Sequence, residues 1–167
     1  AKYALSAGCS RLLFYGALGG RLDHMVANLQ MLRFLADRNA QGILVDHAHW
    51  ITLQRGGTAS YPRREGMYFS LFAMTERCED VTLEGVAYPL CHGVFSNAFP
   101  LGVSNEILAE TAKVTVGKGD LLVIHDTGAH GFAMGYHSSY RQCWGKPVEG
   151  NPFEKGFSLN RLSQTSP

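Results

Sequence analysis

The chain has 167 residues, 46% of them apolar and 17% charged, the composition of a globular protein of one domain or two small ones and not of a disordered chain. Its 15 Lys and Arg nearly balance 14 Asp and Glu, and the one cationic pair, Arg63–Arg64, is too short for the basic footprint of a nucleic-acid binder. No apolar run approaches the ~20 residues that span a bilayer, no signal peptide is readable, and the widely spaced Cys9, Cys78, Cys91 and Cys143 form no CxxC pair, which argues against a zinc cage or disulfide framework and for reduced thiols in a cytoplasmic protein.

The chain opens without Met and inside a helix. Tyr3, Ala4 and Leu5 lead to Gly8 as a stop, and no capping residue precedes Ala1. The expectation is a truncated chain, although a processed N-terminus gives the same pattern. Arg11–Tyr15 (RLLFY) reads as a short buried strand. The turn Gly16-Ala17-Leu18-Gly19-Gly20 follows, and Asp23 then caps or opens a helix running to about Asn39, with Met25, Val26, Leu29, Leu32 and Leu35 at helical spacing. Gln41-Gly42 breaks it, and Ile43–Val45 is a second strand. Strand, glycine turn, helix and strand make one βαβ unit of a parallel sheet covered by helices.

After Trp50 the period changes. Ile51–Leu53, Met67–Phe72, Val81–Leu83, Lys113–Val116 and Leu121–Ile124 are short apolar runs. Arg55-Gly56-Gly57, Glu84-Gly85 and Gly117-Lys118-Gly119 separate them as turns, the pattern of an antiparallel β domain. The fold expected is therefore an α/β remnant followed by a β-rich, mainly antiparallel, sandwich-like domain. Residues 1–57 form the first part, 58–126 the second, and 127–167, rich in Gly, Pro, Ser and Asn, an irregular tail.

Three constellations carry chemistry. In Gly16–His24 (GALGGRLDH), glycines between strand and helix let backbone N–H groups approach phosphate oxygens. Gly19, Gly20 and Arg21 are the candidate phosphate binders and Arg21 and Asp23 the candidate catalytic pair, with Asp23 orienting an amine or hydroxyl. The loop has neither Walker A nor GxGxxG spacing, and the plain alternative is a tight turn with Asp23 as N-cap. In Leu101–Glu106 (LGVSNE), the Ser104 hydroxyl and Asn105 amide could read a polar heterocycle, or could bond their own backbone in a turn. Asp46, His47 and His49 resemble a metal cluster, but strand alternation puts 47 and 49 on a face that 46 does not share, so a solvated strand end is expected and no metal ligand is assigned. His125 and His130 are read with the same caution.

Three blocks then occur in order. They are Gly19–His24 continuing into Ala27-Asn28-Leu29, Tyr68–Phe72 (YFSLF), and Gly85–Leu90 (GVAYPL) with Gly102–Glu106 (GVSNE). Over residues 1 to about 124 the ordered set resembles thiamine pyrophosphokinase. The resemblance implies a nucleotide-binding α/β domain, then a thiamine-binding β domain, in a homodimer whose active sites are shared between subunits. It implies pyrophosphoryl transfer from ATP to thiamine with Mg²⁺, releasing AMP. Arg21 and Asp23 match the block beside the active site, and Ser104 and Asn105 the block lining the thiamine pocket. Ser70, inside a matched block, is expected to be structural. The acidic motifs that hold Mg²⁺ in this family lie before residue 1, so the chain is expected to be an incomplete and inactive fragment. The alternative is a non-catalytic thiamine-binding or dimerisation module. Gly119–Tyr136 also resembles a C-terminal stretch of diaminopimelate decarboxylase, so a junction is expected near residues 119–125.

Overall fold

The computed structural model describes residues 1–127. The tail assigned to 127–167, apart from Thr127, lies outside them, as do His130 and most of the decarboxylase-like stretch. In chain order the elements are α1 (Lys2–Ser6), β1 (Arg11–Tyr15), α2 (Leu22–Ala36), β2 (Gln41–Val45), β3 (His49–Pro62), β4 (Tyr68–Ala73), β5 (Arg77–Glu84), β6 (Leu90–Ser96), β7 (Gly102–Asn105) and β8 (Thr111–Asp126).

β1 and β2 pair in parallel, from Arg11 with Gln41 to Tyr15 with Val45, and α2 connects them. This is the expected βαβ unit. Every other pairing is antiparallel, and the main path runs β1-β2-β3-β8-β4-β7, with β5 on β8 and β6 on β5. The architecture is the β-rich, mainly antiparallel one that the change of period announced.

β3 and β8 form the spine. Lys113–Val116 and Leu121–Ile124, expected as two strands, are one strand, and Gly117-Lys118-Gly119 is a bulge in it instead of a turn. Opposite, Arg55 pairs with Asp120 and Gly57 with Val116, so Gly56 is skipped as well. At this corner β8 changes partner. Its first half pairs with β5 and its second half with β4. The sheet thereby closes over itself as a sandwich would. Phe69, Leu71, Leu121 and Val123 from one side meet Tyr61, Val81, Val114 and Val116 from the other in the largest apolar cluster. β3 runs unbroken through the expected boundary at 57/58.

The opposite face of the first sheet half carries α2. Leu32 packs on Leu44, Ile51 and Leu122, while Leu35 meets Leu12 and Ala40. Gly42 permits this approach: a Cβ there would stand 2.6 Å from Leu32 Cδ2 and 2.7 Å from Leu35 Cδ1. Two local expectations need correction. The N-cap of α2 is Arg21 with no side-chain cap bond, so Asp23 sits in the first turn and does not cap it. Gln41-Gly42 does not end the helix but belongs to β2. The helix ends at Ala36, and Asn39, at φ 54, turns the chain back.

Candidate functional site

Register gathers the sequence-predicted residues at one end of the sheet. Tyr15 pairs with Val45, His49 with Asp126, Asp126 with Tyr68, and Phe69 with Asn105. The glycine loop leaves β1 at this end, and β7 arrives there with Ser104 and Asn105. In open α/β sheets this end, beyond the carboxyl ends of the parallel strands, is where ligands bind.

The loop is fixed from below. Asn28 Nδ2 donates to the Ala17 carbonyl at 2.7 Å, and Ala17 and Leu18 pack on the α2 cluster. Gly16 and Gly20 take positive φ, 70 and 85, while Gly19 does not. Arg21 and Asp23 are brought together: Nε donates to Oδ1 at 3.1 Å and Nη2 to Oδ2 at 2.5 Å. Both are largely exposed. The Arg21 fork, against slight desolvation and with help from the His24 backbone N–H, holds the Asp23 carboxyl below its ordinary range.

On β7 the two candidates differ. Asn105 is buried and spent on the backbone. Its Oδ1 accepts from Tyr88 N at 3.0 Å and Glu106 N at 2.9 Å, and its Nδ2 donates to the Tyr88 carbonyl at 3.0 Å. It clamps the 85–90 segment to the end of β7. Ser104 is half-buried, sits at φ 58, and receives its support through the backbone, its N–H donating to Ser70 Oγ at 3.0 Å. Its own hydroxyl makes no hydrogen bond among the described residues. A non-glycine residue in the left-handed region costs on the order of 1–2 kcal/mol.

The Arg21 loop and Ser104 share an end of the sheet but not a neighbourhood. Five strand spacings of ~4.8 Å separate β1 from β7, about 24 Å along the sheet. Within one chain four strands, β2, β3, β8 and β4, lie between the loop after β1 and the heterocycle-type residues on β7.

Asp46, His47 and His49 form no solvated strand end. They close a two-residue hairpin in which Asp46 Oδ1 accepts from Ala48 N, His49 N and His49 Nδ1 at 2.9, 2.7 and 2.9 Å. The His49 Nε2 lies 3.6 Å from Asp126 Oδ2. Burial opposes charge on Asp46, but these donors outweigh it and hold its carboxyl below the ordinary range. Among the described residues no group of three His, Cys, Asp or Glu side chains is arranged to hold a metal ion.

His125 is buried among Trp50, Tyr61 and Phe69, with ring centroids 5.5, 6.2 and 5.0 Å away. Desolvation, with the nearby Arg64 charge, lowers its pKa to about 4, so it is a neutral core residue. Asp120 borders the expected Gly117-Lys118-Gly119 turn, and its role is not readable from the sequence. It is buried and bound by Arg55 at 2.6 and 2.7 Å. Its only sequence signal is an Asp flanked by Gly119 and an apolar run.

A family model described as the vitamin B1 binding domain of thiamin pyrophosphokinase matches residues 51–121, a range that holds Ser104 and Asn105 but not Arg21 or Asp23. The thiamine pyrophosphokinase of Bacillus subtilis is 29% identical over 128 residues, which cover 75% of this chain and 59% of that protein. The crystal structure of a thiamine pyrophosphokinase from Bacillus subtilis superposes with a TM-score of 0.72 at 28% identity, over 75% of this chain and 60% of that one. That of the Geobacillus thermodenitrificans enzyme gives 0.68 at 27%, over 78% and 60%. The chain is similar to thiamine pyrophosphokinases in sequence and fold, and spans about three fifths of the length of these relatives. No helix among the described residues is long and apolar enough to cross a membrane.

Proposed function

We propose, from that similarity, that residues 58–126 are a thiamine-binding β domain and that the chain is part of an enzyme transferring the pyrophosphoryl group of ATP to thiamine. The observation that carries the reading is the vitamin B1 binding match over residues 51–121, which contains, at the end of β7, a half-buried serine hydroxyl without a partner among the described residues. On this reading Ser104 offers that hydroxyl to the polar heterocycle, and Asn105 acts through the backbone of Tyr88 and Glu106 to hold the pocket wall. Arg21, exposed at the helix start, supplies charge and a planar fork for phosphate oxygens. The ~24 Å between loop and β7 favours a site completed by a second copy, with Arg21 of one subunit facing Ser104 of the other, and hence a homodimer.

Phosphoryl-type transfer needs metal and positioned charge against the negative charge of the transferring group. The described residues offer no metal cluster, so on this reading Mg²⁺ is held elsewhere in the enzyme. This chain alone should bind thiamine yet make no thiamine diphosphate at a useful rate. The test is a thermal-shift titration with thiamine beside an assay for AMP release with ATP, Mg²⁺ and thiamine. A thiamine-dependent rise in Tm without turnover is expected. Turnover matching a full-length enzyme would show that the metal site is misplaced, and no response to thiamine by the folded chain would remove the binding assignment.

A further inference from the structure

Away from the strand ends, four charged side chains meet at the corner where β8 changes partner. Asp120 accepts from Arg55 Nε and Nη2 at 2.6 and 2.7 Å, Arg55 Nη2 also reaches Asp37 Oδ1 at 2.7 Å, and Arg33 Nε stands 3.3 Å from Asp120 Oδ2. Arg33 Nη1 donates in addition to the Met74 carbonyl at 3.2 Å. The backbone of Asp120 is equally engaged: its N–H donates to Thr75 Oγ1, and its carbonyl accepts from Met74 N and Cys78 Sγ. The Asp120 side chain is only 5% exposed.

Arg33 and Asp37 belong to α2 and its C-cap, while Arg55 and Asp120 belong to the β3–β8 spine. Apart from the Asn28 bond to the loop at Ala17, the other contacts of α2 described above are apolar packing, Leu32 on Leu44, Ile51 and Leu122 and Leu35 on Leu12, which is non-directional. The Arg55–Asp120 fork lies within the sheet, and two single contacts cross from it to α2, Arg33 Nε to Asp120 Oδ2 and Arg55 Nη2 to Asp37 Oδ1; being charge-assisted, they are directional. A paired buried carboxylate is a weak source of stability, since an apolar replacement is often as good. What it supplies here is an angle. From Arg33 to Leu22 the helix runs eleven residues, a lever of about 16 Å at 1.5 Å per residue. A tilt of about 5° at the cluster therefore moves the Gly16–Arg21 loop by roughly 1.4 Å, a displacement large enough to spoil the alignment of reacting groups.

We propose that Arg33 and Asp120 are positioning residues that set the angle at which α2 presents the glycine loop to the rest of the molecule. The functional meaning rests on the reading above, but the geometry can be tested without it. Nitroxide labels are placed at the exposed Val26→Cys and Val103→Cys, with Cys9, Cys91 and Cys143 changed to Ser and buried Cys78 left in place. The labelled chain is diluted with unlabelled chain, and the distance distribution is measured by pulsed electron resonance. Arg33→Ala should broaden it about twofold or more, Arg33→Lys should recover part of the original width, and Asp120→Asn should broaden it likewise. If Asp120→Asn does not fold, Arg33→Ala decides. A distribution unchanged in Arg33→Ala, with or without a lower Tm, would overturn the proposal, because a purely stabilising contact leaves the geometry of folded molecules intact. Broadening in a chain that shows no thiamine response would keep the positioning role and remove only the function assigned to the loop.

Discussion

Replacing Asn105 by Ala should behave as a folding mutation rather than as the loss of a ligand contact. Asn105 is 4% exposed, and its side chain makes three hydrogen bonds to the main chain, two to Tyr88 and one to Glu106. Truncation removes the acceptor for two N–H groups and the donor to one carbonyl. At ~0.5–1.5 kcal/mol for each bond, and more where a buried group is left unpaired, the loss is about 2–4 kcal/mol. A domain of this size shifts by about 3 °C per kcal/mol, so Tm should fall by about 6–12 °C. Calorimetry or a circular-dichroism melt measures this directly. A variant whose Tm stays within about 2 °C of the parent, yet which no longer responds to thiamine, would refute the reasoning. It would show that the amide contacts ligand and that the clamp to Tyr88 contributes little.

His125 has a folded-state pKa of about 4 against an ordinary value near 6.5. The folded protein therefore binds fewer protons than the unfolded chain between those values, and this contribution is full above pH ~6.5, falls as pH drops to about 4, and is flat below. Its amplitude is about 3 kcal/mol, and the difference in urea-unfolding free energy between parent and His125→Gln should change by that order between pH 7 and pH 4.5; a pH-independent difference would mean that the ring is protonated or solvated in the fold. Gly42→Ala should cost about 1–3 kcal/mol, because its Cβ would press on Leu32 and Leu35 within a packed helix–sheet contact. An unchanged Tm would show that α2 can lift away freely.

The segments most legible in the sequence are those whose signal is local. RLLFY is β1 to the residue, and the spacing of Leu29, Leu32 and Leu35 locates α2. β6 and β7 were not legible. Leu90–Ser96 carries His92 at positive φ beside Gly93, which breaks a strand period, and Gly102–Asn105 is four residues long with Ser104 at positive φ, so a turn was the plain alternative there. β7 is a strand because β4 offers it an edge, which is information held by another part of the chain. The site follows the same division. The residue types of the glycine loop and of Ser104-Asn105 stand out locally, whereas their commitments do not. Asn105 binds a backbone seventeen residues away, and Asp120 draws in Arg55 across a separation of 65. The hairpin that consumes Asp46 and His49 needed only a two-residue loop, but alternation along an assumed straight strand concealed it.

The assignment of thiamine to the β domain is tested most directly by calorimetric titration of the folded chain with thiamine, repeated on Ser104→Ala. The account predicts saturable binding by the parent. In the variant binding should weaken about tenfold, the ~1.4 kcal/mol of one directional contact, with Tm within about 2 °C of the parent because the hydroxyl has no partner among the described residues. No binding by a parent chain that melts cooperatively, or equal affinity in parent and variant, would contradict it.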